Sequence, residues 1–216
     1  MKKPEYHRQL TLETCGICCL LMALDALGLE NASKGMQHKY YRDYGAKSTP
    51  GTLGSAIAYV LLSKGLGKGL NVKIVHASGN LLENRGGYFE EEKFGRILTE
   101  HKKWLDAAEN IKALKKLSDE EYSCISGHYF GCDELRSELE KGALIITQVF
   151  IPGDDGVHDK VMHWILLYGA EGDCFKAIDP MPKPVGGKIK LSEEELEEYM
   201  KTPFDRTYIS VYKNED

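Results

Sequence analysis

The chain has 216 residues, of which 42% are hydrophobic and 28% charged, an ordinary composition for a globular protein with one buried core. The length predicts a single domain over residues 1–216. The formal charge of -5 argues against nucleic acid or an anionic membrane surface as partner, because both are bound chiefly through an excess of Lys and Arg.

The chain opens with the basic stretch MKKPEYHRQLTLETC, but Glu13 interrupts it before any long apolar segment. The later run CCLLMALDALGL contains Asp25 and is too short to span a bilayer. No signal peptide and no transmembrane helix is expected. The expected location is therefore cytoplasmic, where thiols stay reduced. In that setting the six cysteines read as core residues, or as one reactive thiol, rather than as a disulfide framework.

From Cys15 to Leu27 apolar residues run almost without a break, which predicts a largely buried helix closed by Gly28. Thr14 is the expected N-cap and places Cys15 in the first turn. A second helix is expected in LGSAIAYVLLSKG, and a strand in NVKIVHA. Residues 80–121 differ in texture. Phe94, Ile97, Leu98, Trp104, Leu105, Ala108, Ile111 and Leu114 fall near helical spacing with charges between them. This predicts a helical insertion of one or two amphipathic helices laid on the core, with a lid or a partner-docking arm as the sharper reading.

Next come a short helix in CDELRSELEKG ending at Gly142, the strand ALIITQVFI and a Gly/Asp loop. HWILLYGAEGDCFKAIDP reads as a β-hairpin, KIKLSEEELEEYM as a strand and then a helix with a Ser192–Glu195 capping box, and RTYISVYK as a last strand. The order predicts an α+β fold with N-terminal helices packed on an antiparallel β-sheet, not an alternating βαβ chain. The sequence has no Gly-rich strand-to-helix loop, which removes nucleotide binding as a leading idea.

A helix N-terminus presents unpaired N–H groups and a partial positive charge that favour a thiolate, so Cys15 is the candidate nucleophile. Cys18 and Cys19 lie deeper in the same apolar run and read as small core residues. His163 opens an apolar strand. With a turn centred near Glu171 it faces Asp179, which could accept from one imidazole nitrogen and leave the other for the thiol. His158, five residues earlier, is the rival base. Trp164 alternates to the opposite face and reads as core. Gln9, six residues before Cys15, could supply an amide N–H to an oxyanion hole beside the Cys15 N–H.

These features together resemble the papain-like cysteine peptidases of the bacteriocin-processing, double-glycine-leader type. The shared pattern is a Gln, a Cys-Gly about six residues later, an apolar helix, a His opening an apolar strand, and Asp-Pro after a hairpin. A strand and a Ser-led acidic helix follow, here GGKIKLSEEELEEYM. The resemblance covers most of the chain outside residues 80–121. It implies a papain-like fold and cleavage of a peptide or amide bond in a peptide or protein substrate. It also implies Cys15 as nucleophile, His163 as base, Asp179 as orienting carboxylate and Gln9 as oxyanion residue. No metal or organic cofactor is implied.

Other readings share these residues. Cys15 and Cys18 form a CxxC that would suit a thiol–disulfide oxidoreductase, although HRQLTLET is a poor preceding strand. A zinc site would need two further ligands from Cys124, Cys132 and His128, which are loosely spaced. The same constellation also serves amide-forming acyltransferases and inactive binding modules.

Overall fold

Helix α1 (Cys15–Ala26) is the element against which the sheet and the neighbouring helices pack. The computed structural model describes residues 1–47, 51–77, 91–152, 160–201 and 206–213, without the side chains of 91–94, 152 and 160. Every α1 residue from Cys15 to Leu24 is buried, as befits a helix that is apolar all round. Ile17, Leu20, Leu21, Met22 and Leu24 are fully enclosed, and each such side chain stabilises the fold by roughly 1.5–3 kcal/mol. Asp25 sits at the helix end and pairs with Lys2 at 2.9 Å. Gly28 then turns the chain with φ +71. Thr14 occupies the N-cap position but its hydroxyl makes no cap bond. It instead accepts from Leu10 N–H and Thr11 N–H and donates to Thr11 O, knotting a 3-10 turn over Leu12–Thr14 that fixes where α1 begins.

Helices α2 (Lys34–Tyr44) and α3 (Gly54–Gly65) follow, then strand β1 (Leu70–His76). Helix α4 (Glu91–Lys115) is the amphipathic segment. It lies on α3 through Trp104, whose ring meets Tyr44 and Tyr59, and through fully buried Ala108. Strand β2 (Tyr122–Ser126) and helix α5 (Cys132–Glu140) lead to β3 (Leu144–Pro152), β4 (Lys160–Glu171) and β5 (Cys174–Asp179). The chain ends with β6 (Gly187–Ser192), α6 (Glu193–Met200) and β7 (Thr207–Lys213). The Ser192–Glu195 capping box is formed in both directions.

The architecture is α+β, with one seven-stranded sheet in the order β2-β1-β7-β3-β4-β5-β6. All neighbours are antiparallel except β1 and β2, which run parallel with α4 between them in sequence. That edge is a βαβ unit within an otherwise antiparallel sheet. Both faces are covered. Val72, Ile74, Ile146, Trp164, Leu166 and Ile209 join the core with α1, α3 and Ala108 of α4. Their alternating neighbours, among them Val75, Ile145, Ile165, Leu167 and Tyr208, form a second core with α5 and α6.

Candidate active site

Gly16 explains how α1 reaches the sheet. A Cβ there would stand 2.9 Å from both Thr52 Cβ and Trp164 Cδ1, closer than side-chain atoms pack. The missing side chain lets the first turn of α1 press against β4. Trp164 is locked in place by donating Nε1–H to Thr52 O at 3.1 Å. This contact draws Cys15, the residue before Gly16, toward His163, the residue before Trp164.

His163 lies in a part of β4 that pairs with β3 on one side only, since the described β4–β5 ladder begins at Leu166. Its Nε2–H donates to Asp179 Oδ1 at 2.8 Å. Cys15 is the other group near enough to favour the charged ring, and Nδ1 is the nitrogen that Asp179 does not occupy. Burial disfavours the charged ring. The hydrogen bond to Asp179 and the nearness of Cys15 outweigh it, and the His163 pKa is pushed up to about 9. The raised pKa favours the charged ring at neutral pH. Cys15 is 4% exposed, His163 3% and Asp179 7%, so the three groups meet in a place largely withdrawn from water.

The hairpin brings His163 and Asp179 together by a register other than the expected one. The turn is the pair Gly172–Asp173, with Gly172 at φ +56, and not a turn centred on Glu171. The ladder then slips by one between Leu167 and Gly169. Leu166 faces Ile178 and Leu167 faces Ala177, so extending the ladder sets Ile165, not His163, opposite Asp179. His163 and Asp179 are diagonal neighbours. The slip is what keeps them on one face, because the uncorrected turn would have sent them to opposite faces.

Gln9 is buried at 3% exposure beside the same strand end. Its N–H donates to Pro180 O at 2.8 Å and its Nε2–H donates to Met181 Sδ at 3.3 Å. Met181 and Tyr6, which hydrogen-bonds the Met181 carbonyl, were not foreseen as neighbours of the site. Neither lies on a periodic face, and no local pattern marks them. The rival base, His158, lies outside the described residues.

The other cysteines sit in different surroundings. Cys18 is fully buried, donates Sγ–H to His7 O at 3.2 Å, and burial with the nearby Cys15 pushes its thiol up to about 12. Cys19 donates to Trp164 O at 3.4 Å, and its thiol is also pushed up, chiefly by burial. Both behave as small core residues with a satisfied thiol. Among the described residues no cluster of three or more His, Cys, Asp or Glu could hold a metal ion, and no helix is long and apolar enough to cross a membrane.

No protein-family model matches the chain, and no curated protein matches it in sequence. Solved structures do match. A Bacillus anthracis protein described as C39-like peptidase is 12% identical over the full length of both chains, with a TM-score of 0.51. The peptidase domain of Streptococcus ComA, a bi-functional ABC transporter involved in a quorum sensing pathway, is 13% identical with a TM-score of 0.46; the match covers 99% of this chain and all of that one. The first of these likenesses establishes the fold as the papain-like arrangement of C39-type peptidase structures.

Proposed function

We propose that the chain is a cysteine-dependent hydrolase of peptide or amide bonds, working through a thioester on Cys15. The observation that carries the reading is the buried ring of His163, hydrogen-bonded to Asp179 and close enough to Cys15 for that residue to favour its charged form. A buried imidazole held charged between a carboxylate and a thiol is arranged for nucleophilic catalysis. Cys15 Sγ attacks the carbonyl carbon, and the carbonyl oxygen becomes an oxyanion. The Cys15 N–H and the second N–H of the Gln9 carboxamide hold that oxygen. His163 passes its proton to the leaving amine, the C–N bond breaks, and the acyl group stays on sulfur. Water, deprotonated by His163, then releases the acid and expels the Cys15 sulfur, leaving the ring protonated beside it as at the start. Asp179 holds the ring orientation throughout.

The fold supports the reading, since cysteine peptidases share it. The CxxC alternative loses support from Cys18, whose thiol is buried and engaged with His7 O. Residues 80–90 of the expected insertion lie outside the described residues; in this proposal α4, its described helix, is where a partner would dock.

Brief alkylation with limiting iodoacetamide at about pH 6, well below the usual thiol pKa of about 8.5, tests the proposal. Peptide mapping scores all six cysteines. The expected result is selective labelling of Cys15 that falls about a hundredfold in His163→Ala. Equal labelling of Cys15 in both proteins, or a Cys15–Cys18 disulfide forming without reductant, overturns it.

A further inference from the structure

Met181 follows Asp179-Pro180 and has no part in the scheme above, yet its backbone is held on three sides. Its N–H donates to Asp179 Oδ1 at 2.8 Å, the same oxygen that accepts from His163 Nε2–H. Its carbonyl accepts the Tyr6 hydroxyl at 2.7 Å. A Cβ at Gly186 would stand 2.0 Å from the Met181 carbonyl oxygen, so the loop can close on Met181 only with glycine there.

So held, Met181 presents its sulfur to Gln9, whose Nε2–H it accepts at 3.3 Å. A thioether accepts a hydrogen bond and has no hydrogen to give. It can therefore pair only with the NH2 end of a carboxamide. Gln9 Oε1 is buried with no hydrogen-bond partner among the described residues, so nothing on its oxygen side selects an orientation. The sulfur alone decides which way the amide faces, and one of the two amide hydrogens remains for another acceptor.

We propose that Met181 is a positioning residue, setting the orientation of the Gln9 carboxamide through Sδ and steadying the Asp179 carboxylate through its backbone N–H. One residue thus ties the oxyanion donor to the group that orients the base. The inference rests on the cysteine acyl-transfer reading above.

Two probes of Cys15 separate the parts. p-Nitrophenyl acetate reacts through an oxyanion: the S–acyl bond forms, the ester C–O bond breaks, p-nitrophenolate leaves, and the thiol proton passes by way of His163 to solvent. Iodoacetamide reacts by direct displacement of iodide, with no oxyanion. Modification of the Cys15 peptide is followed by mass spectrometry on the full chain, with Cys15→Ala as blank. Met181→Leu keeps the apolar volume and the N–H to Asp179 but removes the acceptor. It should slow acylation about fivefold, the value of one modest hydrogen bond. Alkylation and the melting temperature should stay as in the wild type. In a Gln9→Ala background, Met181→Leu should add nothing.

Unchanged acylation in Met181→Leu overturns the proposal. So does a loss that persists at full size in the Gln9→Ala background, or one shared equally by alkylation. If neither probe marks Cys15 selectively in the wild type, the acyl-transfer reading itself falls and this inference with it. Selective alkylation with no Met181 effect sinks the inference alone.

Discussion

Two charge clusters lie on the same sheet, each around a buried carboxylate, and they are built differently. At one end, Asp179 and His163 share one close ion pair with Cys15 beside it. At the other, Glu134 and Glu138 of α5 face Lys73 of β1 and Tyr208 and Ser210 of β7. Lys73 and Ser210 are direct ladder partners. Lys73 Nζ lies 3.2 Å from both carboxylates. Ser210 donates to Glu138 at 3.0 Å, Tyr208 donates to Glu134, and Lys141 and His128 add further partners. The second cluster is closed: its cations are mainly lysines and its carboxylate oxygens are filled. The first includes a titratable cation and a nucleophilic sulfur. Burial of charge alone does not mark a reactive site. What marks it is a buried imidazole, paired with a carboxylate, that has a nucleophilic sulfur beside it.

Exchanging the damage between the clusters should break the comparison if it is false. Asp179→Ala is expected to slow alkylation of Cys15 at about pH 6 by about a hundredfold, because the imidazolium loses its anchor. Glu138→Ala leaves Lys73 with one carboxylate and Ser210 without its acceptor. It should cost about 2 kcal/mol in urea unfolding, since it leaves the buried Ser210 hydroxyl unpaired. Cys15 labelling in Glu138→Ala should stay within about twofold of wild type, as distant sites act independently. Equal loss of labelling in both variants would show one coupled network instead of two clusters.

Stability against pH sharpens the same contrast. His163 has its folded pKa raised to about 9 by Asp179 and Cys15 acting against burial. Its contribution is fully present below the unfolded value of about 6.5 and is lost as pH rises through about 9. Glu138 and Glu134 have folded pKa values lowered: burial opposes ionisation, but Lys141 and Lys73 outweigh it for Glu138, and Tyr208, His128 and Lys73 do so for Glu134. Their contribution is present above the ordinary carboxylate range and is lost as pH falls through the lowered values. Melting temperatures from acid to alkaline pH should therefore fall at both ends. His163→Ala should flatten the alkaline limb and Glu138→Gln the acid limb. An unaltered alkaline limb in His163→Ala would remove the charged resting imidazole.

The parts of this picture legible in the sequence are those with a local cause. The apolar run of α1, the glycines at 28 and 142 with φ +71 and +82, and the Ser192 capping box each mark an element by nearby residues. Helix α2 was not foreseen because only Gln37 and Tyr40 are buried in a polar stretch, although Ser33 caps it by accepting from Met36 N–H. Strand β2 is short and lies at a sheet edge beside β1, a parallel pairing that no turn announces. The place of β7 between β1 and β3 is likewise set by tertiary packing. The pairing of His163 with Asp179 was readable as a hairpin, but the register depended on a two-residue turn and a slip at Tyr168 that composition does not encode. Met181 had no signal at all.

The smallest expected effect lies within α1 itself, between cysteines three residues apart. Cys15 meets an imidazole, whereas Cys18 meets only a backbone carbonyl and the apolar core. Cys18→Ala removes one buried sulfur and should cost about 1 kcal/mol of stability. Cys15 alkylation should keep both its rate and its pH profile, because the groups that favour the charged His163 ring are Asp179 and Cys15, not Cys18. The thiol of Cys18, held near 12, contributes no thiolate at neutral pH with which Cys15 could exchange. Measured labelling rates from about pH 5 to 9 would decide the matter. A Cys15 rate that drops severalfold, or a profile that shifts, would mean that the two cysteines act as a pair. The difference between a reactive and an inert thiol would then lie outside the His163–Asp179 contact.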